Sequence, residues 1–92
     1  MGKVIRKHII FRGWVQGVGF RYYAQNAAQM YGASGWVRNE YDGSVTMEIQ
    51  ADEETINHVI TAIERGRYIR IENIESRNIP SVDYENGFKI IY

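Results

Sequence analysis

Residues 13 to 23 read GWVQGVGFRYY, and this stretch has the residue types to hold an anion. Gly17 and Gly19 can take positive φ without the penalty that a Cβ brings. Consecutive N–H groups can then turn inward and form a concave nest for negative charge. The residues that follow have helical spacing, and a helix N-terminus adds unsatisfied N–H groups and a partial positive charge. Val15, Gln16, Gly17, Val18, Gly19 and Phe20 therefore read as a phosphate cradle. Arg21 stands at its rim, where a guanidinium fork can grip two phosphoryl oxygens. The same residues also fit an ordinary tight turn from strand to helix with a surface arginine. No GK[ST] follows, so a Mg-nucleotide loop of that type is not indicated.

Asn39 is the second residue of chemical interest. Strand alternation puts it on the face of Val37, turned toward the apolar side, where an amide needs partners. It either serves a site there or bonds the Asp42-Gly43 turn nearby. Other polar residues read as structural. His8 and His58 have no carboxylate spacing that makes a metal site. Glu53 and Glu54 suit the first turn of a helix. Ser44 has no adjacent base. Arg38 faces the side of the strand opposite Asn39 and reads as a surface charge. Trp14 and Trp36 flank the two segments and either shape a pocket or pack. Tyr22 and Tyr23 are expected to pack the first helix.

The elements that must position these residues follow from periodicity. Residues 4–12 alternate, with Ile5, Ile9 and Phe11 on one face and Arg6, His8 and Arg12 on the other. Residues 13–19 form a loop, and Phe20 to Tyr31 a helix with Phe20, Ala24, Ala27 and Tyr31 on one stripe, Tyr23 and Met30 beside it. Gly32 stops it. Residues 34–40 and 44–50 read as strands joined by the Asp42-Gly43 turn. Asp52 caps a second helix that buries Ile56, Val59, Ile60 and Ile63. Residues 69–79 make a fourth strand, with a parity change that predicts a bulge near Glu72-Asn73. Residues 80–87 are loop and 88–92 a short last strand.

The order β-α-β-β-α-β plus a short C-terminal strand predicts an α+β, ferredoxin-like sandwich. Its two helices lie on one face of a mostly antiparallel sheet. The 92 residues fit a single domain, residues 1–92. The chain has no cysteine, which excludes thiol catalysis, thiolate metal sites and disulfides and fits a cytoplasmic protein. The first ten residues, MGKVIRKHII, lack the apolar region of a signal peptide, and no apolar run reaches membrane-spanning length. Net charge is zero but uneven: residues 1–38 hold six basic residues and no acid, the remainder five basic and eleven acidic. Pairing of strands from the two halves would interleave these charges, and an anion site in the first half would use some of them. An RNA-binding module shares this element order, but the third strand, SVTMEIQA, lacks stacking aromatics, so no nucleic-acid partner is expected.

Two segments resemble the signatures of the acylphosphatase family. Gly13 to Arg21 is similar to G-x-V-Q-G-V-x-F-R, and Gly35-Trp36-Val37-Arg38-Asn39 with Gly43-Ser44-Val45 is similar to G-[FYW]-V-x-N-x-x-x-G-x-V. The resemblance covers the whole chain. Ala51 stands where the family usually has glycine, leaving the turn after the third strand open, and Phe11 where an aliphatic residue is usual. The resemblance implies hydrolysis of a small acyl phosphate to a carboxylate and inorganic phosphate by a monomer, with no metal and no cofactor. It makes Arg21 the phosphate-binding arginine and Asn39 the residue that positions the attacking water. The alternative it leaves is a non-catalytic module of the same fold that binds phosphate or a carbamoyl group.

Overall fold

A computed structural model describes residues 2–92; Met1 lies outside the described residues. The elements run β1 (Val4–Trp14), α1 (Phe20–Tyr31), β2 (Ser34–Asn39), β3 (Val45–Asp52), α2 (Glu53–Glu64), β4 (Arg70–Ile79) and β5 (Phe88–Ile90). The five strands form one sheet in the order β4-β1-β3-β2-β5. All neighbours are antiparallel except β2 and β5. Ile9, Phe11, Val37, Val45, Met47 and Ile49 of the sheet share one buried core with both helices. That core includes Phe20, Ala24, Ala27 and Ala28 of α1 and Ile56, Val59 and Ile63 of α2. The expected ferredoxin-like plan is the observed one, with the short last strand extending the sheet at β2.

The bulge has a definite position. Arg12 pairs with Asn73 and Gly13 with Ile71, so Glu72 is the extra residue. This carries β1 two residues past its expected end. Gly13 must be glycine here, because a Cβ would lie 2.3 Å from the Arg70 carbonyl oxygen at φ 130°. Ala51 lies within β3, opposite Ile5, and β3 runs straight into α2 with no intervening turn. Asp52 caps α2 as expected, its carboxylate accepting from Thr55 N–H at 2.8 Å. Phe11 is fully buried, with its ring centroid 4.9 Å from that of Phe20.

Three expectations are corrected. The buried stripe of α1 is made of small residues with Phe20, and Tyr31 is half exposed in the last turn, its centroid 5.4 Å from the His58 ring. Tyr22 and Tyr23 point outward. The alanines allow α1 to sit close to its neighbours, which leaves no room for tyrosine rings beneath it. Ile60 is only partly buried. The outer face of the sheet is crossed by residues 80–87, which link β4 at one edge to β5 at the other. Glu85 of this strap takes two hydrogen bonds from Arg6, at 2.7 and 3.1 Å, and Gln50 exchanges two with Val82. Arg6 is thereby only 3% exposed and also donates to Glu48 at 3.1 Å. A buried guanidinium is tolerable because two carboxylates meet it.

The charge halves do interleave. Arg6 meets Glu48 and Glu85, Lys7 meets Glu53, Arg12 meets Asp42 and Glu75, and Arg38 meets Glu40. Arg21 is not among these pairs; among the described residues no carboxylate lies within 4.0 Å of it.

Candidate active site

The loop between β1 and α1 has the backbone that its glycines permit. Gly17 has φ 73° and Gly19 φ 84°, both left-handed. A Cβ at Gly17 would meet nothing within 4 Å, so φ alone calls for glycine there. Gly19 is the N-cap of α1 and supplies no side-chain acceptor, and the first turn holds no acid. Tyr23 N–H donates to the Gly19 carbonyl at 3.0 Å, closing the first helical hydrogen bond. The N–H groups ahead of it, from Phe20 to Tyr22, have no partner within the helix. They sit at the positive end of the helix dipole.

A cavity of about 170 Å³ lies at this helix start, lined by Val15, Gly17, Gly19, Phe20, Arg21, Tyr22 and Asn39. Val15 and Phe20 are fully buried and give it a dry wall. No acidic residue or histidine lines it. Its one formal charge is the Arg21 guanidinium, whose carbon lies 5.3 Å from the ring centroid of Tyr92. Asn39 enters from β2, and its Oδ1 is buried with no hydrogen-bond partner. An unpartnered buried acceptor costs about 1–3 kcal/mol, so it calls for an explanation. The turn-bonding alternative for Asn39 does not provide one, since its amide oxygen bonds nothing.

The turn is held by other side chains. Asp42 accepts from Ser44 N–H at 2.9 Å and from its hydroxyl at 2.5 Å. Arg12 reaches Asp42 at 3.1 Å and Glu75 at 2.9 Å, tying the turn to the edge of the sheet. The Ser44 hydroxyl, with the Ser44 N–H and Arg12, holds the Asp42 carboxyl down to about 2. Gln16 performs the tie that matters most for the cavity. Its amide donates to the Glu40 carbonyl at 2.7 Å and to the Ser44 carbonyl at 2.8 Å. One side chain thus fixes the Gly17–Gly19 loop to the end of the strand that carries Asn39.

Of the residues singled out from sequence, Val15, Gly17, Gly19, Phe20, Arg21 and Asn39 converge on one cavity. Gln16 and Val18 do not line it: Gln16 turns to the β2–β3 turn, and Val18 packs against the core. Neither tryptophan lines it. Trp14 is exposed near Tyr68, and Trp36 lies across the sheet, 6.5 Å from His8. A second cavity, of about 540 Å³, adjoins the first and shares Arg21 and Asn39 with it. It is lined further by Arg38, Glu40, Tyr41, Ile91 and Tyr92. Arg38, read as a plain surface charge, therefore borders the site. Strand parity gave its face correctly, but the strand ends one residue later, and a long side chain can reach around that end. Ile91 and Tyr92 arrive because β5 pairs with β2 and Ile91 N–H bonds the Val37 carbonyl at 2.9 Å. Among the described residues, no three histidine, aspartate or glutamate side chains converge to hold a metal ion.

The chain is similar to known proteins over most of its length. The acylphosphatase family model matches residues 7–90. An acylphosphatase of Clostridium acetobutylicum is 43% identical over 81 residues, covering 87% of this chain and 89% of the relative. The crystal structure of acylphosphatase from Bacillus subtilis superposes with a TM-score of 0.87 at 31% identity, over 98% of this chain and all of the other. Full-length HypF, solved in a phosphate- and nucleotide-bound form, matches all of this chain with a TM-score of 0.85 at 30% identity, but over only 12% of its own length.

Proposed function

Because this chain belongs to the acylphosphatase family, we propose that the cavity at the start of α1 seats the phosphoryl group, with Arg21 gripping it and Asn39 holding the attacking water. The reaction is hydrolysis of an acyl phosphate to a carboxylate and inorganic phosphate.

An acyl phosphate is a mixed anhydride. Its leaving group is a carboxylate, whose conjugate acid has a pKa near ~4, so it departs without a general acid. What remains for the protein is positioning and charge stabilisation. The uncapped N–H groups of α1 and the Arg21 fork hold the equatorial oxygens and take up charge as the P–O bond breaks. Asn39 Oδ1 accepts a proton donor, and an attacking water is such a donor. The water oxygen bonds to phosphorus and the carboxylate leaves with the electron pair. A water proton passes to a phosphoryl oxygen. No strong base is needed, and none lines the cavity.

The observation that carries this reading is the buried, unpartnered Asn39 Oδ1 in a cavity whose one formal charge is Arg21. The cation that the reaction needs is a guanidinium, so the reaction proceeds without a metal ion or cofactor. All the named groups belong to one chain, so a monomer suffices. The test is hydrolysis of benzoyl phosphate by the purified protein in excess EDTA. Rapid turnover that EDTA does not change is the expected result. Phosphate binding without turnover would instead assign a non-catalytic phosphate- or carbamoyl-binding module.

A further inference from the structure

The larger of the two cavities plays no part in the phosphoryl chemistry above. It adjoins the smaller one through Arg21 and Asn39, so a substituent on a phosphoryl group seated there extends into it. Its remaining lining is mixed. Ile91 and the rings of Tyr41 and Tyr92 offer apolar surface, and Arg38 and Glu40 offer charge.

Arg38 is oriented by two contacts. Its guanidinium carbon lies 5.2 Å from the Trp36 ring centroid, and its Nε–H donates to Glu40 at 3.0 Å. A guanidinium has five N–H donors, and this hydrogen bond uses one. Among the described residues the donors on Nη1 and Nη2 have no hydrogen-bond partner, and Arg38 lines the cavity. The Thr46 hydroxyl, then Arg38, hold the Glu40 carboxyl below its ordinary value, so Glu40 stays ionised and offsets part of the Arg38 charge. The side chains that line the cavity therefore present two cations, Arg21 and Arg38, against one anion, Glu40. With the phosphoryl group taking Arg21, one cation faces the far end of the acyl chain.

We propose that the larger cavity is the acyl-group site and that Arg38 selects acyl chains ending in an anion, a carboxylate or a phosphate. This rests on the phosphoryl group occupying the smaller cavity. The aromatic and aliphatic walls take the intervening carbons, and the Arg38 fork takes the terminal oxygens.

The test compares three acyl phosphates of matched, rigid shape that cannot cyclise. Crotonoyl phosphate ends in a methyl group, fumaroyl monophosphate in a carboxylate, and trans-3-phosphonoacryloyl phosphate in a phosphonate. The quantity read is kcat/KM for each anionic substrate divided by that for crotonoyl phosphate. This ratio does not depend on how much of a preparation is folded. An ion pair at a partly exposed site predicts a ratio of about five in the wild-type protein. Arg38→Gln brings the ratio to about one. Glu40→Gln, which removes the competing carboxylate, raises it above the wild-type value. A larger ratio for the phosphonate than for the carboxylate identifies a phosphate-ended acyl chain as the preferred class, and the reverse order a carboxylate-ended one. A wild-type ratio of one, or a ratio that Arg38→Gln leaves unchanged, overturns the proposal while leaving acyl phosphate hydrolysis in place. Failure to hydrolyse any of the three overturns both.

Discussion

Replacing Asn39 by alanine separates a catalytic amide from a structural one, because the two roles predict opposite effects on stability. Asn39 Oδ1 is buried and bonds nothing. Its removal therefore costs no hydrogen bond and relieves a desolvation penalty of about 1–3 kcal/mol. Against this stands the loss of some side-chain packing, about 1 kcal/mol for a group of this size. The balance lies between neutral and about 2 kcal/mol stabilising. For a domain of this length each 1 kcal/mol moves Tm by about 4–8 °C. The alanine variant should thus melt at the wild-type temperature or several degrees above it. Its kcat should fall by about 10²–10³, the usual effect of removing one group that acts in the transition state. Thermal melts followed by circular dichroism and steady-state hydrolysis of benzoyl phosphate give the two numbers. A variant that melts well below wild type while keeping its kcat would show that Asn39 is a turn residue, and the reasoning fails.

Arg21→Ala should weaken inhibition by inorganic phosphate as well as turnover, since the guanidinium meets the ground-state anion; phosphate Ki rising by about tenfold or more in steady-state assays is the expected outcome. Gln16→Leu removes hydrogen bonds of 2.7 and 2.8 Å to the Glu40 and Ser44 carbonyls. It should cost about 1–3 kcal/mol in urea unfolding and lower kcat more than it raises phosphate Ki, because loop and Asn39 lose register. Acid should destabilise the fold through carboxyls held below their ordinary range. These are Asp42, at about 2 beside Ser44 and Arg12, Asp52 beside Thr55, and Glu48, whose burial is outweighed by His8 and Arg6. The unfolded chain takes up protons on these groups first, so their contribution is full above about pH 4.5 and lost as pH falls toward 2. Tm should fall over that window, and Asp42→Asn should lower Tm at neutral pH but converge with wild type at pH 2.

The parts of the site set by local chemistry were legible in the sequence. Gly17, Gly19 and the helix from Phe20 follow from φ preference and apolar spacing, and these place the Arg21 rim and the uncapped N–H groups. The Glu72 bulge was visible as a parity change, and the Asp52 cap as a side chain at the head of an apolar stripe. Long-range placement was not legible. Nothing local marks Gln16 as the tie to Glu40 and Ser44, since its partners are backbone carbonyls more than twenty residues away. Tyr92 reaches Arg21 only because residues 80–87 cross the outer face and let β5 pair with β2. The same strap buries Arg6, which strand alternation placed on the face opposite the core. Alternation reports which face a residue takes, and here a loop decided whether that face met water.

The measurement that tests the account most directly is a titration of the ¹⁵N-labelled protein with inorganic phosphate, read by amide chemical shifts. Phosphate seated at the start of α1 should move the amides from Gly17 to Tyr22 and the Arg21 Nε–H in a saturable way, and Arg21→Ala should abolish the effect. Saturable shifts elsewhere on the molecule, with these amides unmoved, would contradict the placement of the phosphoryl group on which the whole account depends.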